Sequence, residues 1–292
     1  MLKQFHPLLF LLILFCGHAV GAQVAETTAP LLYDQSKSTI RKRFTPPKGY
    51  AWVNEVPGSF SEYLVNFPLH PPNFPIRDYR AVPIEKQSFH VAILKIDVGD
   101  RDLQQCADAW MRLYAEYLWS QKRYDEIAFE FTSGQLFTWN DYKNGVRTKE
   151  YKNRVRFYKT GIVDDSYSNF RRYLVVIFRY AGTISLDRES VSVLNNKEIK
   201  TGDFLIKPGS PGHSVIVVGV AKNAAGKRLY LLAESFMPAQ DIHILRNPSN
   251  IKLTPWYEID INSPQTYTAK YIFKPTSVKR FHAIADKEKE NP

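Results

Sequence analysis

Residues 202–218 read Gly202-Asp203-Phe204-Leu205-Ile206-Lys207-Pro208-Gly209-Ser210-Pro211-Gly212-His213-Ser214-Val215-Ile216-Val217-Val218. Two apolar runs, the second rich in branched residues, flank a connection made of glycine, proline and serine. Such a connection interrupts both helix and ladder, so the stretch predicts two neighbouring strands with a tight turn between them. Further strands are predicted at 228–234, 242–245 and 270–273, each bounded by turn residues. Their connections are too short for helical crossovers, so the sheet should be mainly antiparallel.

The preceding half of the chain has a different period. Ser59 precedes Phe60, Tyr63, Leu64 and Phe67, one apolar face of a short capped helix. Residues 69–75 carry three prolines and must be an extended loop. Phe89 to Val98 alternates as a strand does. Leu103, Cys106, Ala107, Trp110, Leu113, Tyr114, Tyr117 and Leu118 recur at helical spacing, with Asp100 and Asp102 available to cap the start. A further strand is expected at 127–131. A further helix is expected from Ser166 to Ala181, with Tyr167, Phe170, Leu174, Ile177 and Phe178 on its buried face. Helices first and neighbouring strands afterwards give an α+β fold, with helices packed on the sheet.

The N-terminus carries Lys3, an apolar run from Leu8 to Phe15, and Val20 and Ala22 at the −3 and −1 places of a cleavage site. Residues 1–22 therefore read as a signal peptide, 23–46 as a flexible lead-in, 47–282 as one domain with an insertion at about 127–165, and 283–292 as a disordered tail. The apolar run is too short to span a bilayer. The expected location is periplasmic or envelope-associated. A lipid anchor on Cys16 would need a small preceding residue, and Phe15 is not one.

The chain carries 39 basic and 29 acidic residues, a formal charge of +10. That balance points to an anionic neighbourhood. The charges are spread, however, and no nucleic-acid-binding motif accompanies Arg41-Lys42-Arg43, so nucleic acid is not an expected partner. His213 and His243 lack metal-ligand spacing, and no glycine loop suits a phosphate; no metal and no cofactor is expected. The domain is expected to be a monomer.

Removal of the signal leaves Cys106 as the only cysteine. A lone thiol in an exported chain is buried and inert, paired with a partner, or reactive. The turn before His213 would deliver that ring at the start of a buried strand with one edge open. If strands 213–220 and 228–234 form a hairpin, Glu234 can reach the imidazole, set its tautomer and leave the other nitrogen for a thiol. A thiol near a helix N-terminus is favoured as thiolate, and the free N–H groups there can hold an oxyanion. Against this, Asp108 opposes thiolate formation, and Cys106 shares an apolar face with Leu103 and Trp110. Trp139, Tyr142 and Arg147 are either groove-lining groups for a peptide or glycan, or core.

The order Cys106, His213, Glu234 on helix, strand and strand resembles papain-like amidases and peptidases. The Gly202-Asp203 strand and the Pro211-Gly212-His213 turn resemble the NlpC/P60 and CHAP amidases, papain-like folds that cut amide bonds in peptidoglycan. That resemblance implies a cysteine amidase or peptidase with Cys106 as nucleophile, His213 as base and Glu234 as its orienting partner, and a peptide or peptidoglycan-like substrate. It also implies an oxyanion donor at Gln104 or Gln105, both otherwise expected to be exposed. The nucleophile motif departs from the amidases: Gln105-Cys106-Ala107 stands where Asp-Cys-Ser/Gly is usual. A catalytically inactive envelope-binding protein on the same fold is the alternative. From Tyr50 to Phe281 the chain resembles an exported bacterial family catalogued as domain of unknown function 4846, on the segments DLQQCADA (102–109), RLYAEYL (112–118), YAGTISL (180–186), 202–218 and LLAESFMPAQDIH (231–243).

Overall fold

The computed structural model describes residues 32–290 except 153, 196–197 and 275–276. The expected signal peptide and Cys16 lie outside the described residues. Among those described, nine strands form one sheet, whose central path runs His90–Ile93, His243–Leu245, Arg228–Glu234, His213–Asn223, Phe204–Lys207, Val278–Phe281 and Ser190–Ser192. Tyr50–Trp52 pairs with the far end of His213–Asn223, and Trp256–Tyr257 pairs with Arg228–Glu234. All of these pairings are antiparallel. The fold is therefore α+β with a mainly antiparallel sheet, as the connection lengths predict.

The two faces of the sheet pack against different material. Phe204, Ile206, Ile216, Val218, Leu231 and Ala233 face the core shared with the helices. Leu205, Val215, Val217, Leu232 and Leu245 face a second cluster with Tyr257, Ile259 and Phe273. Both faces are thus apolar, which explains the unbroken Val215-Ile216-Val217-Val218 run: alternation is lost when neither face meets water.

The Cys106–Ser120 helix lies on the first face, with Trp110 as its anchor. The Trp110 indole donates to the Gly202 carbonyl at 2.9 Å, stacks on Tyr114, and meets Phe204 and Phe281. The helix begins at Cys106. Its cap is Gln105 rather than Asp100 or Asp102, and the Gln105 N–H donates to Asp108 Oδ2 at 3.0 Å. The Tyr167–Tyr180 helix is capped by Ser166, and Phe60–Val65 by Ser59, as the sequence predicts.

Two terminal expectations are corrected. The segment read as a lead-in up to residue 46 is packed where it is described: Ile40 and Phe44 belong to the core, and Arg43 donates to the carbonyls of Lys37 and His70. The residues read as a tail continue as the His282–Glu290 helix, with Ala285 buried. In both places short apolar residues among charged ones find a buried face that periodicity alone does not reveal. Trp110→Ala should cost about 3–5 kcal/mol, the range for truncating a fully buried tryptophan. The readout is the urea midpoint at unchanged slope; a shift equal to that of a surface substitution would show that Trp110 does not anchor the helix.

Candidate functional site

Gly212 sets the approach to His213. A Cβ on it would lie 2.6 Å from the Gly209 carbonyl oxygen, so the turn closes only with glycine here. The His213–Asn223 strand then pairs with Arg228–Glu234, placing Ala233 opposite Ile216 and bringing Glu234 to His213. His213 Nε2 lies 2.9 Å from Glu234 Oε2. The carboxylate only accepts, so Nε2 carries the proton and Nδ1 is left as the basic nitrogen. Nδ1 has no hydrogen-bond partner among the described residues, and it is not among the sealed, unpartnered atoms. The ring itself is packed against Phe236, Tyr271 and Phe273.

Glu234 is fully buried. Its second oxygen, Oε1, lies 3.2 Å from Lys270 Nζ and 3.5 Å from His243 Nε2, charge-pair distances without hydrogen-bond geometry. Burial pushes the Glu234 carboxyl up, but the His213 hydrogen bond and the neighbouring His243 outweigh it and hold the group below the usual carboxylate range. His243 is fixed from its other side, with Nδ1 2.8 Å from the Asp241 carbonyl oxygen. Beyond it His90 is pushed down to about 4, by burial first and then by His243.

Cys106 is the first residue of its helix and is half-buried. Burial, then the Asp108 charge, pushes its thiol up to about 11. The backbone N–H groups of Ala107, Ser214 and Cys106 itself act on the sulfur in the opposite sense. The thiol therefore adjoins the peptide that follows His213. No hydrogen bond joins it to the imidazole among the described residues. Asp108 is buried with only a backbone donor, and burial pushes it up to about 8.

The loop before Cys106 is pinned to the strand end that carries Glu234. Ser235 Oγ donates to the Gln104 carbonyl at 3.1 Å, and the Ala239 N–H donates to Asp102 Oδ1 at 2.7 Å. Three buried polar atoms on residues close to Cys106 in the chain or ladder have no partner among the described residues: Gln104 Nε2, Asp108 Oδ1 and Ser214 Oγ. Native interiors rarely leave such groups unpaired.

The other anticipated positions separate. Trp139 is buried among Trp119, Phe170 and Tyr173 and presents no surface to a groove, which corrects its reading as substrate-binding. Tyr142 is largely buried but lines a cleft of about 510 Å³ beside Gln104. Arg147 lies 4.0 Å over the Tyr142 ring and donates to the Tyr142 carbonyl, so it holds that ring. Gln105 is half-buried and donates to Asp102 Oδ1 at 3.1 Å. Gln104, expected to be exposed, is buried. Lys270 and His243 complete the Glu234 environment and were not marked by any motif; their only signal is a charged or titratable residue beside a predicted strand. Among the described residues no group of three or more metal-ligating side chains could hold a metal ion, and no helix is long and apolar enough to cross a membrane.

Residues 40–280 match the family model described as domain of unknown function 4846. The chain belongs to that family. The match spans the sheet, the Cys106–Ser120 helix and every residue of the site. No curated protein and no solved structure matches it.

The titration of the thiol can be read directly by iodoacetamide. Alkylation of Cys106 should climb with pH towards about 11, because only the thiolate reacts. Above about 8 Asp108 is ionised, and its charge opposes that of the thiolate. Asp108→Asn keeps an acceptor for the Gln105 N–H and removes the charge, so the alkylation midpoint should fall. An unchanged midpoint would mean that the charge of Asp108 does not reach the sulfur.

Proposed function

We propose that the protein is an exported cysteine hydrolase of papain-like, NlpC/P60-like design that cleaves amide bonds of peptides, with peptidoglycan-like peptides as the substrate class. The observation that carries this reading is the buried Glu234 carboxylate bound to His213 Nε2, on a strand whose next backbone N–H, that of Ser214, meets the thiol at a helix start. Cys106 Sγ attacks the carbonyl carbon while His213 Nδ1 takes its proton. The oxyanion lies against the N–H groups of the first helical turn, which have no intrahelical partner. The C–N bond then breaks, and His213 returns the proton to the leaving amine. Water, deprotonated by the same nitrogen, hydrolyses the thioester and restores the thiol. Glu234 acts as a positioning residue, fixing the tautomer and stabilising the imidazolium as it forms.

A second reading is favoured by the resting thiol, which is pushed up to about 11 and makes no hydrogen bond to the imidazole. On that reading the same fold binds an envelope peptide without cutting it.

Acyl transfer from p-nitrophenyl acetate separates the two. The wild-type protein should accumulate an acetyl thioester at Cys106, found by peptide mass mapping. His213→Ala should slow this by about 100-fold or more, the usual worth of a positioned base. Equal rates in wild type and His213→Ala would remove the hydrolase reading and leave the binding one.

A further inference from the structure

We infer that the cleft beside the start of the Cys106–Ser120 helix binds the carboxylates of an acidic peptide. The cleft, of about 510 Å³, lies between the loop at 98–104 and the Tyr167–Tyr180 helix. That volume falls in the range of small-molecule and short-peptide sites. Its lining includes Arg101, Arg171, Arg172 and Arg179, against one carboxylate, Asp100.

These arginines are unequally committed. Arg171 is held by Asp97, whose two oxygens accept at 2.7 and 2.8 Å, so its guanidinium is fixed in place. Arg172 stands 3.8 Å from Asp164, and Arg101 stands 4.0 Å from Asp100, both loose surface contacts. No ion pair holds Arg179 among the described residues. The cleft therefore keeps guanidinium groups in reserve for an incoming anion. A guanidinium fork matches the planar geometry of a carboxylate, and a walled cleft strengthens the attraction over that in open water.

At its inner end the cleft reaches Gln104, which is 1% exposed. Arg112 Nη1 donates to Gln104 Oε1 at 2.9 Å, which settles the orientation of the amide. The Gln104 NH2 group then has no partner. A buried donor left unpaired is costly, and a ligand oxygen at this end of the cleft would remove that cost. Leu103, Val175 and Phe178 add apolar wall, which suits the carbon skeleton of a peptide better than a bare inorganic anion.

Gln104 lies two residues before Cys106 in the chain, and on the hydrolase reading a peptide held here is the substrate. In that role the inference rests on the hydrolase reading and names its substrate as acidic; binding itself needs no reaction at Cys106.

The test uses the full chain and isothermal calorimetry at low salt. The probes are N-acetyl-Ala-Glu-Glu-Ala-amide, its Gln-Gln counterpart and inorganic phosphate. The Glu peptide should bind at least about tenfold more tightly than the Gln peptide, as expected for charge-assisted hydrogen bonds. The double variant Arg172→Glu/Arg179→Glu, both residues being exposed, should lose that preference while its unfolding midpoint stays unchanged. Cys106→Ala should bind as wild type does. Equal binding of the two peptides, no binding, binding indifferent to the charge reversal, or displacement by phosphate at the peptide's own concentration would each overturn the inference. Peptide binding with no acylation of Cys106 would leave the acidic site standing and remove only the hydrolase reading. Acylation without peptide binding would do the reverse.

Discussion

The site depends on one buried carboxylate. Glu234 has no exposed surface, and an unpaired charge in such a place costs several kcal/mol. It is tolerated because three cationic or protonatable groups reach it from three different segments: His213 from the first position of its strand, His243 from the neighbouring strand on the other side, and Lys270 from the segment that covers the second face of the sheet. The ladder fixes the two histidine strands, since Ala233 pairs with both Ile216 and Ile244. The same Lys270 Nζ lies over the Phe236 ring, 4.8 Å from its centroid. The carboxylate thus ties the sheet, its covering segment and the histidine into one arrangement. A change in any of the three partners is felt as an uncompensated charge in the core.

A second set of ties brings the helix to that carboxylate. Ser235, next to Glu234, donates to the backbone of Gln104, and Ala239 donates to Asp102. Arg112, buried in the same helix, binds Gln104, Asp97 and Glu116 at once. Its charge is therefore spent within the fold, whereas those of Arg172 and Arg179 are left for the surface. The helix start is located from both ends: by Trp110 against the sheet, and by the 102–105 loop against the 235–240 loop. Cys106 sits where these two constraints meet.

The sequence carries the parts of this that are local. The hairpin of His213 and Glu234 follows from two strands with a short connection, and the register that pairs Ala233 with Ile216 leaves Glu234 near enough to His213 for a diagonal 2.9 Å contact. The two longest helices and their apolar faces follow from spacing. What the sequence hides is long-range. Lys270 meets Glu234 only because the covering segment folds back across the sheet, and no spacing along the chain encodes that. Gln104 looks like a first-turn surface residue until Arg112 and Ser235 enclose it. Trp139 reads as a groove aromatic because its neighbours are polar, yet its own short helix turns it into the ring cluster of Trp119, Phe170 and Tyr173. The cap at Gln105 is likewise unexpected, since its partner Asp108 reads first as a charge opposed to the thiol.

Asp108 and Glu234 show how one site holds two carboxyls in opposite states. Glu234 has cations within reach and stays ionised; Asp108 has only a backbone N–H, and burial pushes it up to about 8. Environments that drive two carboxyls apart in this way divide the work of a site between them. At neutral pH the negative charge lies on the histidine side, and the cysteine side is close to neutral. A standing thiolate–imidazolium pair would need the reverse, with the thiol lowered and the imidazole drawn to it, whereas burial holds the thiol at about 11. The arrangement instead suits a proton that leaves the sulfur only as the sulfur attacks. On the proposed hydrolase reading, Glu234 would stabilise the imidazolium at that moment, and the helix N–H groups would take the charge that arrives on the substrate oxygen. On that same reading the reaction would depend on what the substrate brings into the site, and so on the proposed cleft at Gln104 as much as on the thiol.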